Sequence, residues 1–208
     1  MGIFDFLKKE DRNNDSAKVV SNEPAEIEDP NFEKINNLIK AGYNIFITGG
    51  AGTGKSYTLN KLKSIYKDTL HITSTTGISA INVNGQTIHS WAGIGLANKP
   101  IDEIVRKIKK NNTLYKQLIL CKMLAIDEIS MLDDYVFDYV NEVLKGVREN
   151  REPFGGIQIL LFGDFFQLPP VDDNRQYCFK SKTWEELNLK TVILKKQKDN
   201  QRKSLLMH

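Results

Sequence analysis

Residues 43–56 read YNIFITGGAGTGKS, an apolar, β-rich run that ends in glycines and leaves them at Lys55-Ser56. The spacing is G-x-x-x-x-G-K-[ST], with Gly49, Gly54, Lys55 and Ser56 in the fixed places of a phosphate-binding P-loop. Glycines let the backbone bend closely enough for several N–H groups to point at an anion, and the helix that follows presents its positive end. Lys55 is expected to reach the β and γ phosphates of ATP. Ser56 is expected to place its hydroxyl on Mg²⁺, which keeps most of its waters and asks for few protein oxygens. The predicted nucleotide contacts are Gly49, Gly50, Ala51, Gly52, Thr53, Gly54, Lys55, Ser56 and Tyr57. Ile45, Phe46 and Ile47 before the loop, and Leu59, Leu62, Ile65 and Tyr66 after it, predict strand, loop and helix in that order.

Two later segments answer this one. Met123–Ser130, MLAIDEIS, is an apolar strand that delivers two adjacent carboxylates at its end. Neighbouring strand residues point oppositely, so different tasks are expected: Asp127 in the magnesium shell, Glu128 polarising the water that attacks the γ-phosphate. Residues 157–171, IQILLFGDFFQLPPV, form a second apolar strand followed by Gly163-Asp164, two phenylalanines, Gln167 and a rigid Pro169-Pro170. A neutral amide such as Gln167 can accept from water and donate to phosphate oxygen. Phe165 and Phe166 are expected to finish the core rather than to stack on bases.

Between these motifs the periodicity predicts a helix around Ile35, Leu38 and Ile39 stopped by Gly42, and a strand at Leu70–Ser74. Further helices are expected through Ile101–Ile108, around Leu114–Ile119 and from Val136 to Leu144, with a last strand at Thr191–Leu194. Strands alternating with helices mean a parallel sheet covered on both faces, with ligands at the carboxyl ends of the strands. Residues 1–30 carry Lys8, Lys9, Arg12 and Lys18 against Asp5, Glu10, Asp11, Asp15, Glu23, Glu26, Glu28 and Asp29, a net −4. They read as a flexible acidic leader. The whole chain is +3, so the remainder is +7, a balance compatible with a polyanion or with an ordinary lysine-rich surface. Of its 208 residues 40% are hydrophobic and 26% charged, which suits one globular domain. Cys121 and Cys178 are isolated in apolar surroundings and lack zinc spacing, so core packing in a reducing, cytosolic setting is expected. No membrane partner is expected.

GGAGTGKS at 49–56, TSTTGISA at 73–80 with GQTIHSWAGIG at 85–95, IDEISML at 126–132 and GDFFQLPPV at 163–171 resemble, in order and spacing, the first four motifs of the petite-integration-frequency (PIF-type) DNA helicases. The resemblance spans about Phe32 to Leu194. It implies an α/β, P-loop NTPase fold: a RecA-like three-layer sandwich with a mostly parallel central sheet. The implied activity is that of an ATP hydrolase and 5′-to-3′ helicase on single-stranded DNA, in a family tied to DNA repair, recombination and telomere maintenance. It further implies that the strand before Gln167 lies between the P-loop strand and the Asp127 strand. The family's DNA-contacting segment maps onto Thr75, Thr76, Gly77 and the run Thr87–Trp91, where His89 and Trp91 offer ring faces; the residues alone leave Trp91 equally readable as core.

Two departures accompany the likeness. Phe32 stands where the family usually places a glutamine that reads adenine. After the last strand, where the family has an arginine-glutamine pair, this chain reads Leu194-Lys195-Lys196-Gln197. The expected organisation is therefore a leader (1–30), a RecA-like ATPase domain (31–194) and a basic tail (195–208), ending before a second motor domain. Such a chain is a fragment, an early-ended reading frame or a protein with a reduced task. Another P-loop ATPase of DNA metabolism, or a module that uses ATP as a binding switch, remains the alternative reading; a second motor domain and replication or repair proteins are the further partners considered.

Overall fold

The computed structural model describes residues 29–167 and 176–196. Most of the leader, Pro169-Pro170 and the tail beyond Lys196 lie outside the described residues. The first helix, α1 (Pro30–Lys40), starts with proline at its first turn and with the Asp29 side chain accepting the Asn31 N–H at 2.9 Å. It buries Phe32, Ile35 and Ile39, a stripe at helical spacing. There follow β1 (Ile45–Thr48), α2 (Lys55–Ile65), β2 (Leu70–Ser74), α3 (Gly77–Asn82), β3 (Gln86–Thr87), α4 (Ile88–Ala92), α5 (Ile101–Lys110) and α6 (Asn112–Leu120). Next come β4 (Met123–Asp127), α7 (Asp134–Arg148), β5 (Gln158–Gly163), α8 (Lys182–Glu186) and β6 (Lys190–Ile193).

The strands form one sheet in the order β3-β2-β4-β5-β1-β6. Every pairing is parallel, so the sheet among the described residues is parallel throughout rather than mostly. Strands β4 and β5 are apolar except at one end, Asp127 and Gln158, because both faces of the sheet are covered. Ile159 and Leu161 of β5 join the core under α4 to α8, with Leu124, Ile126, Phe137 and Leu144. Leu160 and Phe162 of the same strand join Ile35, Ile39, Ile47, Leu59 and Leu62 under α1 and α2. That alternation is what makes three layers. The burial is dense enough that truncating a side chain such as Leu161 to alanine should cost about 2–5 kcal/mol.

Three sequence expectations change in detail. The two-residue strand β3 and the short helices α3 and α4 had no predicted counterpart, being too short to carry a period. Phe165 packs as expected, edge-on to Phe179 at 4.8 Å and close to Phe46 and Trp184. Phe166 does not: it is 100% exposed. Asp127 and Glu128 are not related by strand alternation, since β4 ends at Asp127 and Glu128 turns into a left-handed conformation (φ 54°, ψ 40°). Both cysteines are free and buried, and burial pushes the Cys121 thiol up to about 12 and raises that of Cys178 as well. Among the described residues no helix is long and apolar enough to cross a membrane.

Candidate functional site: the carboxyl edge of the sheet

β5 lies between β1 and β4, as the family resemblance implied. Three motifs therefore meet at one edge. Thr48, the last residue of β1, pairs with Gly163, the last of β5. A Cβ at Gly163 would lie 2.8 Å from Ile129 Cγ2 and 3.1 Å from the Ile129 nitrogen, so only glycine lets the turn after β4 close against β5.

The loop after β1 is folded by its own groups. The Thr53 hydroxyl donates to the Gly50 carbonyl at 2.9 Å, and the Lys55 ammonium donates to the Gly49 carbonyl at 2.5 Å and to the Gly50 carbonyl at 3.3 Å. The ammonium thus sits over the loop. Gly54, at φ 95°, occupies the cap position of α2 and offers no side chain to its first N–H groups, so those donors face outward. Ser56 and Tyr57 in the first turn are exposed, Tyr57 by 63%. No neighbour lies within 4 Å of where a Cβ on Gly50 or Gly54 would stand, the open approach that a phosphate chain needs.

Asp127 is 8% exposed. Burial raises its pKa, the Glu128 N–H bonded to Oδ1 at 3.0 Å lowers it, the Glu128 charge raises it and the Lys55 charge lowers it. The net direction is upward, chiefly through burial of the carboxyl. Those residues fit a small divalent cation held mostly by water, with Asp127 and Ser56 as the protein oxygens. Glu128 is half-buried beside it. Gln167 is exposed on a turn in which its N–H donates to the Asp164 carbonyl at 3.0 Å, while the buried Asp164 side chain accepts the Phe166 N–H at 3.1 Å. Asp164 was quoted in its motif without a role; a buried carboxylate directly after a strand is the signal that it caps the Gln167 turn.

The segment that the resemblance gave to DNA starts at the end of β2, the strand beside β4. Thr75 donates its hydroxyl to the Glu128 carbonyl at 3.1 Å, tying this segment to the residue expected to activate water. Thr76 caps α3 by accepting the Ser79 N–H, and Thr87 caps α4 by accepting the Ser90 N–H. Gly77, at the start of α3, is exposed. His89 is half-buried; burial lowers its pKa and the Asp133 charge opposes this. Trp91 is a correction. It is 2% exposed, packed in the core under α4 to α8, and its indole N–H donates to His71 Nδ1 at 3.1 Å. A base cannot stack on a face already covered by the core.

Phe32 is 7% exposed, within the core under α1 and α2, and Lys61 Nζ lies 4.5 Å from its ring centre. It packs; it presents no hydrogen-bonding edge.

The family described as PIF1-like helicase matches residues 22–206. The ATP-dependent DNA helicase RRM3 of Saccharomyces cerevisiae is 43% identical over 179 residues, covering 80% of this chain and 25% of that protein. The ATP-dependent DNA helicase Pif1 of a Psychrobacter species is 41% identical over 169 residues, 77% of this chain and 26% of its own length. The crystal structure of Pif1 helicase from Candida albicans superposes with a TM-score of 0.75 at 38% identity, over 82% of this chain and 40% of that one. That of Pif1 helicase from Bacteroides in complex with ADP-AlF3 and ssDNA gives 0.68 at 33% identity, over 81% of this chain and 42% of that one. The chain spans about a quarter of the curated relatives it matches.

Proposed function

The chain belongs to the PIF1-like helicase family, and we propose that it is the ATP-binding motor lobe of a DNA helicase that moves 5′ to 3′ along single-stranded DNA. One observation carries this reading: β5 between β1 and β4 gathers Lys55, Asp127, Glu128 and Gln167 at one carboxyl edge. In this reading the backbone N–H groups of residues 49–57 bind the phosphates and Lys55 leaves its two carbonyl partners to pair with the β and γ oxygens. Asp127 and Ser56 would hold Mg²⁺, which when bound would supply charge neutralisation for the phosphates. Glu128 polarises the attacking water, and Gln167, held by the Asp164 turn, orients it. Thr75 to Gly77 and Thr87 to Ser90 face the single strand, and the hydrogen bond from Thr75 to Glu128 passes strand engagement to the hydrolytic end.

A second reading, an ATP-switched DNA-binding module without unwinding, is favoured by where the described arginines lie. Arg148 is bound to the carbonyls of Leu118, Ile119, Cys121 and Gly155, and Arg106 pairs with Asp102 on α5. Neither stands at the nucleotide end. The test is a titration of the purified chain with ATP, with and without Mg²⁺, alongside fluorescence anisotropy of a labelled oligothymidine at several salt concentrations. Both readings expect ATP binding strengthened by Mg²⁺ and a salt-sensitive strand complex; unwinding of a 5′-tailed duplex then separates them. Absence of ATP binding would remove both.

A further inference from the structure

The sheet ends at β3, which is two residues long and pairs only with Thr73 and Ser74 of β2. Below it, at the start of β2, a cleft of about 410 Å³ opens at the sheet's edge, lined among others by Lys63, Lys67, His71, Gln86, Trp91 and Gln117. No carboxylate lines it. Its charged and titratable groups are two lysines and a histidine, a composition that repels cations and leaves an anion as the natural occupant.

The polar groups inside are set as donors. The Trp91 indole N–H donates to His71 Nδ1 at 3.1 Å, which places the proton of the neutral imidazole on Nε2. That Nε2–H has no acceptor among the described residues. Burial lowers the pKa of His71, so near pH 7 the ring stays in this neutral, donating form. Gln117 donates to the Trp91 backbone carbonyl at 3.2 Å, which ties α6 to the backbone that carries the indole. Lys63 is anchored by the carbonyls of Val83 and Asn84 at 3.0 and 3.2 Å, which hold its ammonium at the cleft and leave it one donor. Lys67 is exposed and has no partner among the described residues. A half-buried imidazole donor, an anchored ammonium and a free one, around a space of this size, match the oxygens of a phosphate.

We propose that this cleft is a phosphate-binding site, separate from the nucleotide end, and that the phosphate it takes belongs to the single strand facing Thr75–Gly77. The choice of the strand as source rests on the reading under Proposed function; the phosphate site itself does not. Continuity supports it, because Gln86 of the cleft is followed at once by Thr87, the first residue of the second strand-facing run.

The experiment uses the 208-residue chain and two probes, inorganic phosphate and a fluorescein-labelled dT10, at matched ionic strength in chloride. Phosphate should shift the ¹⁵N resonance of His71 Nε2 and the Trp91 indole N–H saturably, a local readout that binding at residues 49–56 does not move. Lys67→Glu should weaken both phosphate and dT10 at least about fivefold and lower the salt slope of dT10 binding by about one. Lys110→Glu, an exposed change on α5, should stay within about twofold. No saturable shift at His71, or a Lys67→Glu chain that binds phosphate as the parent does, overturns the site. A phosphate response lost in Lys67→Glu with dT10 affinity unchanged overturns the strand as its source. If the parent chain binds no dT10 while phosphate still shifts His71, the strand reading fails and the phosphate site stands.

Discussion

At the carboxyl ends of β1, β5 and β4 the functional groups are backbone N–H groups, a held ammonium and a buried carboxyl. From Thr75 to Trp91, around β2 and β3, they are side-chain hydroxyls already used as helix caps, with Ile78 and Ile81 exposed by 79% and 75% beside them. The first region is complete in shape within the lobe: its loop is closed by its own carbonyls, and Gly163 lets the two strand ends close on each other. The second is a surface that leaves apolar groups exposed beside its helix caps. A site that recognises the charge of phosphates can be built from few, rigid atoms.

The sharpest way to break this comparison is to ask whether the nucleotide end is complete in chemistry as well as in shape. An arginine supplied across a phosphoryl-transfer site is commonly worth about 10³ to 10⁵ in rate. Among the described residues Arg106 and Arg148 are committed elsewhere, and Arg151 lies just past the end of α7. The 208-residue chain is expected to bind Mg·ATP yet to turn it over about 10³ to 10⁵ more slowly than a site with such an arginine in place, with or without single strands. Single-turnover hydrolysis measures this. Fast turnover would mean that another basic group acts, with Arg202 and Lys203, outside the described residues, the first to substitute.

A smaller loss tests the held ammonium. Lys55→Ala removes charged hydrogen bonds to phosphate worth roughly 2–3 kcal/mol, so ATP affinity should drop about thirtyfold or more. The fold should be spared, because the ammonium contacts loop carbonyls rather than the core. Calorimetry on a variant with an unchanged melting midpoint decides it; undiminished affinity would put the nucleotide elsewhere.

Phe32 sharpens the comparison further, since it implies that the nucleotide end recognises phosphates and little else. The ring is packed under α1 and α2 and offers no edge to adenine. ATP and GTP should bind within about tenfold of one another, or ~1.4 kcal/mol. A hundredfold preference for ATP in a competition titration would show that another group, Asn31 or a backbone amide, reads the base.

The two regions were unequally legible in the sequence for the same physical reason. Spacing exposes demands that only certain residue types meet, so Lys55, Asp127 and the glycines between residues 49 and 54 could be named as candidates from the chain alone, and the long apolar strands stand where they were expected. Gln167 was placed correctly after β5, although the Asp164 cap that holds it was not foreseen. The strand-facing region was read through family likeness, and there Trp91 failed. A tryptophan at a helical position carries no mark that distinguishes a covered face from a free one; the partner that covers it, His71, is twenty residues away, on β2. Phe166 failed for the converse reason, because an aromatic after a core strand gives no sign that the chain has already turned outward.

The smallest expected effect separates the regions by sign. Asp127 has a pKa above its ordinary 3.8, chiefly through burial. Its contribution to stability is therefore fully present below 3.8 and is lost as pH rises through the folded-state value. His71 and His89 have pKa values below the ordinary 6.5, again through burial, with Asp133 opposing the shift at His89. Their contribution is present above 6.5 and is lost as pH falls through the folded-state values, because the unfolded chain then binds protons that the fold resists. Protonating His71 also removes the lone pair that accepts the Trp91 N–H, so the acid loss belongs to the sheet's free edge. Between pH 7.5 and 5.5 the melting midpoint should therefore fall. His71→Gln should flatten that slope and leave only the part due to His89. Saturating Mg·ATP should raise the midpoint at both pH values without changing the His71 part of the slope, since the nucleotide end titrates in the Asp127 window instead. A slope that Mg·ATP abolishes and His71→Gln leaves intact would assign the acid sensitivity to the nucleotide end and undo the division.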